Sequence, residues 1–295
     1  MHLATTAALS VLVALAFFAQ PAAAQEAEPD PNFFVYLSFG QSNMEAGAPP
    51  EAGDEVVDER FQMLAAVDMP RYEREKGQWY RATPPLCRQS TGMGPTDFFG
   101  RAMVEALPEA YRVGVINVSV AGTRIELFQP AKAEAIVADS PEWFRNMAAA
   151  YDNQPYDRLV EMGKLAQQRG VIKGILLHQG ESNAGDPEWP SKVEEVYSRL
   201  LADLELDAEE VPLLAGELLS AAEGGKCAGF NDHVLPNLPA VVPTAHIISS
   251  EGCAGMPDGL HFTHDGFKKL GERYAQTMLA LQGFPSERSD ATTQR

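Results

Sequence analysis

Basic side chains are scarce in this sequence. It has 23 lysines and arginines against 41 aspartates and glutamates, a formal net charge of −18 over 295 residues. Binding nucleic acid requires clustered basic residues that neutralise phosphates, so this balance excludes nucleic acid as a partner, and it also disfavours docking on anionic lipid. Hydrophobic residues at 45% and charged residues at 22% are typical of globular proteins and exclude collagen, coiled coil and extensive disorder.

Hydrophobic runs long enough to span a bilayer are also absent. The apolar stretch 7–18 is too short for a transmembrane helix, and Ala22-Ala23-Ala24 follows it as a small-x-small cleavage site. Residues 1–24 are therefore predicted to be a signal peptide cut after Ala24, which would give a secreted or periplasmic protein without membrane attachment. An uncleaved N-terminal anchor is the alternative.

Cysteine is limited to three residues, and no CxxC metal-binding spacing is present. Cys227 and Cys253 both lie in glycine-containing loop sequence, and export would permit a disulfide. A bridge between these two is predicted, with Cys87 buried and unpaired. Three reduced thiols are the alternative.

Strand-like and helix-like segments alternate between a polar leader and a polar tail. Short apolar runs predict five strands, at 33–39, 112–120, 171–178, 211–217 and 244–249. Helical patterns lie between or beside them, at 97–107, 156–168, 191–204 and 267–281.

This alternation predicts an α/β fold, a three-layer α/β/α sandwich with a central, mainly parallel, five-stranded sheet. Residues 25–284 are predicted to form one domain and 285–295 a disordered tail. Residues 45–95 contain many charges, prolines and glycines and sustain no hydrophobic period. They are predicted to be long loops near the site.

Residues for acyl transfer follow the predicted strands, where ligand sites of open α/β sheets lie. Ser42 follows the first strand and is a candidate nucleophile, with the helix N-cap as its alternative role. His261 is the candidate base, and Asp258, three residues earlier, can orient its imidazole. The amides of Ser42 and Gly122 and the side-chain NH₂ of Gln179 are candidate donors to the oxyanion.

Four blocks of this sequence resemble the SGNH (GDSL-like) hydrolases. The resemblance is closest to the branch that holds sialate O-acetylesterase-like proteins and the acetylxylan esterases of carbohydrate esterase family 6. It is carried by Gly40-Gln-Ser-Asn-Met44, Ala121-Gly-Thr-Arg-Ile-Glu-Leu-Phe128, His178-Gln-Gly-Glu-Ser-Asn183 and Asp258-Gly-Leu-His-Phe262. It extends from about Phe33 to Leu281 and implies an SGNH-like fold.

The resemblance implies catalytic roles for Ser42, Asp258 and His261, and oxyanion roles for Ser42, Gly122 and Gln179. It implies no metal and no cofactor. Two positions depart from the pattern: Phe128 stands where many relatives have Trp, and Asn183 where many have Asp. Both departures concern substrate detail rather than the catalytic groups.

Further residues around these blocks have candidate roles. His178 and Glu181 are three residues apart, but Gly180 between them disfavours a helical ligand pair. His178 and Glu181 are expected to support the site from behind, His178 by holding Gln179. The candidate substrate-binding residues are Asn43, Met44 and Arg124, and Arg124 is equally expected to pair with a carboxylate. Trp79, Tyr80 and Trp143 are either sugar-stacking platforms or packing residues. Asp258, His261 and His264 form only a weak metal-ligand pattern.

The sequence thus predicts a secreted serine esterase that removes O-acetyl groups from an acetylated carbohydrate, as acetylxylan esterases do. A sialate or other sugar O-acetylesterase is one alternative. A carbohydrate-binding protein that has the same fold but no catalysis is the other. A standard α/β-hydrolase is disfavoured because no Gly-x-Ser-x-Gly motif is present.

Overall fold

A single mixed sheet organises the computed structural model, which describes residues 28–284. The predicted signal peptide, 1–24, and the predicted tail, 285–295, lie outside the described residues. The strands are β1 Phe33–Gly40, β2 Phe61–Leu64, β3 Trp79–Arg81, β4 Arg112–Ser119, β5 Val171–His178, β6 Leu213–Gly216 and β7 Ala245–Ile248.

Nine α-helices lie in the described part of the chain. They are α1 Ser42–Glu45, α2 Pro95–Ala106, α3 Pro130–Ala138, α4 Glu142–Ala149, α5 Pro155–Gln167, α6 Trp189–Asp203, α7 Gly229–His233, α8 Leu238–Val241 and α9 His264–Leu281. Among these residues, no helix is both long and apolar enough to cross a membrane.

The strand order is β3-β2-β4-β1-β5-β6-β7, and every pair is parallel except the antiparallel pair of β2 and β3. The predicted parallel α/β sheet is confirmed, with seven strands instead of five. The additional strands, β2 and β3, lie within the segment 45–95 that was predicted to be loops. They have only four and three residues, so no alternating pattern is long enough to reveal them.

Strand β1 is buried along its whole length and separates two helical layers. On one face Tyr36 packs against Phe99 of α2, with ring centroids 4.8 Å apart. On the other face Phe39 packs against Phe128, with centroids 5.0 Å apart. Side chains of a strand alternate between faces, so a central strand covered on both sides is apolar throughout. This burial explains why the strand could be predicted from an uninterrupted hydrophobic run in the sequence.

The cysteines do not form the predicted bridge. All three thiols are free, with Cys87 buried as expected. The Sγ of Cys227 lies 3.9 Å from the Glu181 carbonyl oxygen, whereas the Sγ of Cys253 lies 3.6 Å from Arg273 on α9. The predicted pairing is wrong in this structure because the two sulfurs contact different elements.

Candidate active site

The carboxyl ends of β1 and β5 come unusually close at Gly40. A Cβ atom at this position would lie 2.1 Å from the carbonyl oxygen of His178, so only glycine fits. The next amide, of Gln41, donates to that same oxygen over 3.1 Å. This contact fixes the end of β1, and α1 begins directly after it at Ser42.

Ser42, His261 and Asp258 form a continuous hydrogen-bonded chain. The Oγ of Ser42 lies 3.0 Å from Nε2 of His261, and Nδ1 of His261 lies 2.6 Å from Oδ2 of Asp258. The other carboxylate oxygen of Asp258 accepts from the backbone amides of Leu260 and His261. The structure therefore brings Ser42 together with two residues that lie more than 200 positions later in the sequence.

The protonation state of Asp258 fixes the tautomer of His261. Partial burial raises the pKa of Asp258, but the hydrogen bonds from His261 and Leu260 outweigh it and lower that pKa to about 2. An ionised carboxylate only accepts hydrogen bonds, so Nδ1 of His261 carries the proton in this contact. Its Nε2 is then free to accept the hydroxyl proton of Ser42.

Two backbone amides beside Ser42 are available to a ligand. Within residues 28–284, neither the amide of Ser42 nor that of Gly122 donates to a protein acceptor. Gly122 has φ +72°, in the left-handed region that favours glycine, and the loop carrying it is held by the Ser182 hydroxyl, which donates to the Gly122 carbonyl oxygen over 2.9 Å. The two amides are candidates for stabilising a developing oxyanion.

Gln179 does not have the position predicted for an oxyanion donor. Its side chain is 1% exposed, and its Nε2 lies 2.8 Å from Asn183 Oδ1, 3.1 Å from Gln41 Oε1 and 3.2 Å from the Thr123 carbonyl oxygen. Its Oε1 accepts from the buried indole N–H of Trp189, which fixes the orientation of the amide. Gln179 therefore joins the loops behind the site, and its donors are already in use.

We expect the Gln179→Leu variant to lose folding stability. The substitution leaves the Trp189 N–H and the Thr123 carbonyl without these buried partners, and each unpaired group costs about 1–3 kcal/mol. The free energy of unfolding, measured by urea denaturation, should fall by about 2–5 kcal/mol.

The matched control is Gln168→Leu at the exposed end of α5, which should change that free energy by less than about 0.5 kcal/mol. A Gln179→Leu variant of normal stability whose esterase activity is reduced about 10²–10³-fold would contradict the assignment, because that is the effect of losing an oxyanion donor.

Asn43 connects helix α1, which begins at Ser42, to the loop that carries His261. It is fully buried, and its Nδ2 donates to Glu181 over 2.6 Å and to the Leu260 carbonyl oxygen over 2.9 Å. Its Oδ1 accepts from the amide of Phe262 at 3.3 Å. Asn43 is therefore not available to substrate, contrary to prediction. Glu181 supports the site as expected, but through Asn43.

The other two predicted substrate-binding residues differ in exposure. Met44 is fully buried, with its sulfur 3.2 Å from the Thr96 hydroxyl, so its predicted role is wrong because the side chain belongs to the core. Arg124 is 56% exposed and lies 3.6 Å from Glu126 and 3.8 Å from Asp186. Its guanidinium remains accessible to a ligand.

His178 packs behind the site without contacting Gln179. The side chain is fully buried, its Nε2 lies 3.0 Å from the Glu217 carbonyl oxygen, and its ring stands edge-on to Phe262 at 5.7 Å. Burial lowers the pKa of His178 and favours the neutral ring. His178 thus contacts the Glu217 carbonyl after β6 and Phe262, the residue that follows His261, rather than the Gln179 amide.

Two amide side chains that had no assigned role organise the strand-end loops. Gln41 Oε1 also lies 3.4 Å from the amide of Gly180 and 3.3 Å from that of Ser182. Asn183 donates to two carboxylates, Glu126 and Asp186, at 3.1 and 3.0 Å. An Asp at position 183 would face those carboxylates without a donor, which explains the departure from the family pattern. The position of Gln41 and Asn183 inside two of the motif blocks was the available sequence signal.

The aromatic candidates lie in different parts of the sheet. Trp79 is in β3 and packs on Phe33 at the amino end of β1, with centroids 4.8 Å apart, and Tyr80 is half-buried beside it. Trp143 instead reaches the site, since a Cβ at Gly122 would lie 2.9 Å from its ring. Only Trp143 therefore stands where a substrate could stack on it.

His264 does not join Asp258 and His261 in a metal-ligand cluster. It starts α9, and its Nε2 lies 2.8 Å from Asp54 Oδ2. In residues 28–284 no group of three or more His, Cys, Asp or Glu side chains is arranged to hold a metal ion. His264 instead fastens the loop that contains Asp54 to the start of α9.

Solved structures share this fold. A protein from Arabidopsis thaliana has a TM-score of 0.63 at 20% identity, over 85% of this chain and 99% of its own. NanS has a TM-score of 0.65 at 14% identity, over 87% and 99%. A carbohydrate acetylesterase from Xanthomonas citri has a TM-score of 0.58 at 18% identity, over 84% and 56%. At these identities the similarity establishes the fold.

The family assignment comes from the sequence profile. The family model described as "Carbohydrate esterase, sialic acid-specific acetylesterase" matches residues 32–280, which is most of the chain. This match spans the four motif blocks and confirms the resemblance drawn from them. The chain belongs to this family of carbohydrate esterases and is a carbohydrate acetylesterase.

Proposed function

We propose that the protein removes O-acetyl groups from a carbohydrate by a Ser-His-Asp acyl-enzyme mechanism, with acetylated xylan as the substrate class. The observation that carries this proposal is the chain of contacts from Ser42 Oγ through His261 to Asp258, at 3.0 and 2.6 Å. The two amides without protein acceptors in residues 28–284, of Ser42 and Gly122, follow the adjacent carboxyl ends of β1 and β4.

In the first half-reaction, Ser42 Oγ attacks the acetyl carbonyl carbon while its proton moves to Nε2 of His261. The negative charge that develops on the carbonyl oxygen is stabilised by the Ser42 and Gly122 amides. The bond to the sugar oxygen then breaks, and the imidazolium returns its proton to that oxygen. Acetyl-Ser42 and a free sugar hydroxyl are the products.

Water completes the cycle by the same route. His261 removes a proton from the water as its oxygen attacks acetyl-Ser42, and the resulting tetrahedral intermediate uses the same two amides. When the bond to Ser42 Oγ breaks, the proton passes from His261 to that oxygen, and acetic acid leaves and ionises to acetate in water. Asp258 remains ionised throughout and stabilises the imidazolium that forms in each half-reaction.

A sialate O-acetylesterase is the second candidate, and Arg124 is the observation that favours it. Its guanidinium is exposed two residues from Gly122 and lies beyond hydrogen-bond distance of Glu126 and Asp186. Both carboxylates already bind Lys192 Nζ, at 2.9 and 2.6 Å. A sialic acid carboxylate could therefore use the Arg124 donors.

Acetate release across three substrates tests the proposal. Purified protein is given acetylated xylan, O-acetylated sialic acid and a chromogenic acetyl ester. We expect kcat/KM to be highest on acetylated xylan and to change less than threefold on that substrate in Arg124→Met. Higher kcat/KM on O-acetyl sialic acid, with a loss in Arg124→Met, would favour the second candidate instead. Glycan binding without acetate release from any substrate would indicate a non-catalytic binding protein.

We also propose that the enzyme is exported and that its leader is removed after Ala24. The support is the apolar stretch 7–18 followed by three alanines. Mass spectrometry of the protein recovered from the periplasm or the medium should then give an N-terminus at Gln25. Recovery of the intact N-terminus from the membrane fraction would contradict export with cleavage.

A further inference from the structure

An exposed tryptophan stands beside the proposed oxyanion glycine. Trp143 is the second residue of α4 and is 56% exposed, although its ring lies against Gly122 and meets Phe144 edge-on at 5.8 Å. The neighbouring aromatic of the helix, Phe144, is buried in the core. One side of the Trp143 indole is thus packed while the other faces solvent next to Gly122.

The side of α4 that carries Trp143 also lines a cleft of about 430 Å³. The cleft is lined by Asn146 and Met147 of the helix and by Ala150 at its C-cap, which are three, four and seven residues beyond Trp143. Residues at these spacings lie on one side of a helix, and one turn advances 5.4 Å. The Trp143 ring and the cleft therefore lie on the same side of α4, and the two together are called here the α4 cleft.

The lining of the α4 cleft suits a hydroxylated ligand. The side chains of Gln89, Ser90 and Asn146 offer amide and hydroxyl groups, and Val67 and Met147 add apolar surface. A volume of this size falls in the range of small-molecule sites, which combine apolar walls with a few polar groups. Sugar rings present the same combination of hydroxyls and apolar faces.

Charge in the α4 cleft disfavours an anion. The one cation among its lining residues, Arg88, is buried and paired with Glu45, so its charge is already matched. The remaining charged lining residue is the exposed carboxylate of Asp68. An anionic sugar would meet that carboxylate without a free cation to compensate, whereas an uncharged sugar meets no such penalty.

Arg88 also connects the cleft to the nucleophile. Its guanidinium donates to Glu45 of α1 and, over 2.7 Å, to the carbonyl oxygen of Ser119 at the end of β4. Helix α1 begins at Ser42, and β4 leads to the loop of Gly122. The wall of the cleft is thus attached to the same elements that carry the catalytic groups.

We propose that the α4 cleft is a subsite for an uncharged oligosaccharide chain. Trp143 stacks on the sugar that carries the acetyl ester, and the polar groups of Gln89 and Asn146 bind the following units of the chain. This inference rests on the proposed function and specifies its substrate: a neutral polysaccharide held over several units rather than a single acetylated sugar.

The test compares a long with a short substrate. The kcat/KM for acetate release is measured on acetylated xylo-oligosaccharides and on 4-nitrophenyl acetate, for wild type, Trp143→Ala and the double variant Gln89→Ala/Asn146→Ala. A well-packed tryptophan contact contributes about 2 kcal/mol or more to binding, which corresponds to about 30-fold. We expect the ratio of the two kcat/KM values to fall about 10–100-fold in both variants. Arg145→Ala, on the solvent side of α4, is the control and should leave the ratio unchanged.

Three other outcomes bear on the inference. An equal loss on both substrates would overturn it, because Trp143 would then act only by supporting Gly122. A larger loss on O-acetylated sialyl-oligosaccharide than on the xylo-oligosaccharide would also overturn it. If wild type releases no acetate at all, the proposed function fails, and the cleft is then tested separately by calorimetry with deacetylated xylohexaose. Binding that is abolished in Gln89→Ala/Asn146→Ala supports the cleft as a sugar subsite. Absence of binding to wild type overturns it.

Discussion

Replacing Ser42 by alanine should lower kcat/KM for acetate release by at least about 10⁴-fold on every substrate that wild type hydrolyses. The variant loses the only atom of the Ser42–His261–Asp258 chain that can form the acyl-enzyme, while the backbone amides of Ser42 and Gly122 remain. Enzymes of this kind retain only about 10³–10⁴-fold catalysis over water once a triad residue is removed.

The effect should be chemical rather than structural. Ser42 is partly exposed, and its side-chain contact is to His261, so we expect the unfolding free energy to change by less than about 1 kcal/mol. Ser198→Ala, an exposed serine of α6, is the matched control and should keep full activity. A fluorophosphonate probe should label wild type at Ser42 and leave the variant unlabelled. Activity of Ser42→Ala within tenfold of wild type would disprove the nucleophile assignment.

The central part of the fold was predictable because its strands are buried on both faces. The run 33–39 contains Phe, Val, Tyr and Leu without a charge, and β1 occupies Phe33–Gly40. The strands β2 and β3, which lie at one side of the sheet, were not predicted because they are short and their partners are distant in the sequence. Gln62, for example, pairs with Arg81 on one side and with Gly114 on the other. Such pairings are set by tertiary contacts that no local pattern encodes.

The convergence of the proposed catalytic groups was predictable for a different reason. In a parallel sheet the carboxyl ends of the strands meet, so residues that follow separate strands converge. This rule brings Ser42 to the edge where Gly122 also lies. It places residues at an edge but does not orient their side chains, which is why Gln179 and Asn43 were given ligand contacts. Their buried amides are turned inward by hydrogen-bond partners from other loops.

The inward orientation of these amides has a consequence for His261, the proposed catalytic base. Asn43, one residue after the nucleophile, holds the Leu260 carbonyl oxygen and the Phe262 amide, on either side of His261. The position of the imidazole over Ser42 is thus fixed by the backbone on both sides. The rotation of the imidazole ring and its tautomer are then set by the contact of Nδ1 with Asp258.

Asp258→Asn should therefore lower kcat by about 10³–10⁴-fold with little change in folding. The new amide can still accept from the Leu260 and His261 backbone through its oxygen, so its NH₂ would face Nδ1 of His261. That contact requires an unprotonated Nδ1 and moves the ring proton to Nε2, which can then no longer accept the proton of Ser42. A buried triad aspartate loses about 10⁴-fold in kcat by this change. Asp258 is 47% exposed, so water can partly replace the carboxylate, and the lower part of the range is included.

The measurement is kcat for acetate release by Asp258→Asn and by Asp232→Asn, an exposed aspartate of α7 that should match wild type. A loss of less than about tenfold in Asp258→Asn would show that the tautomer of His261 is set by another group.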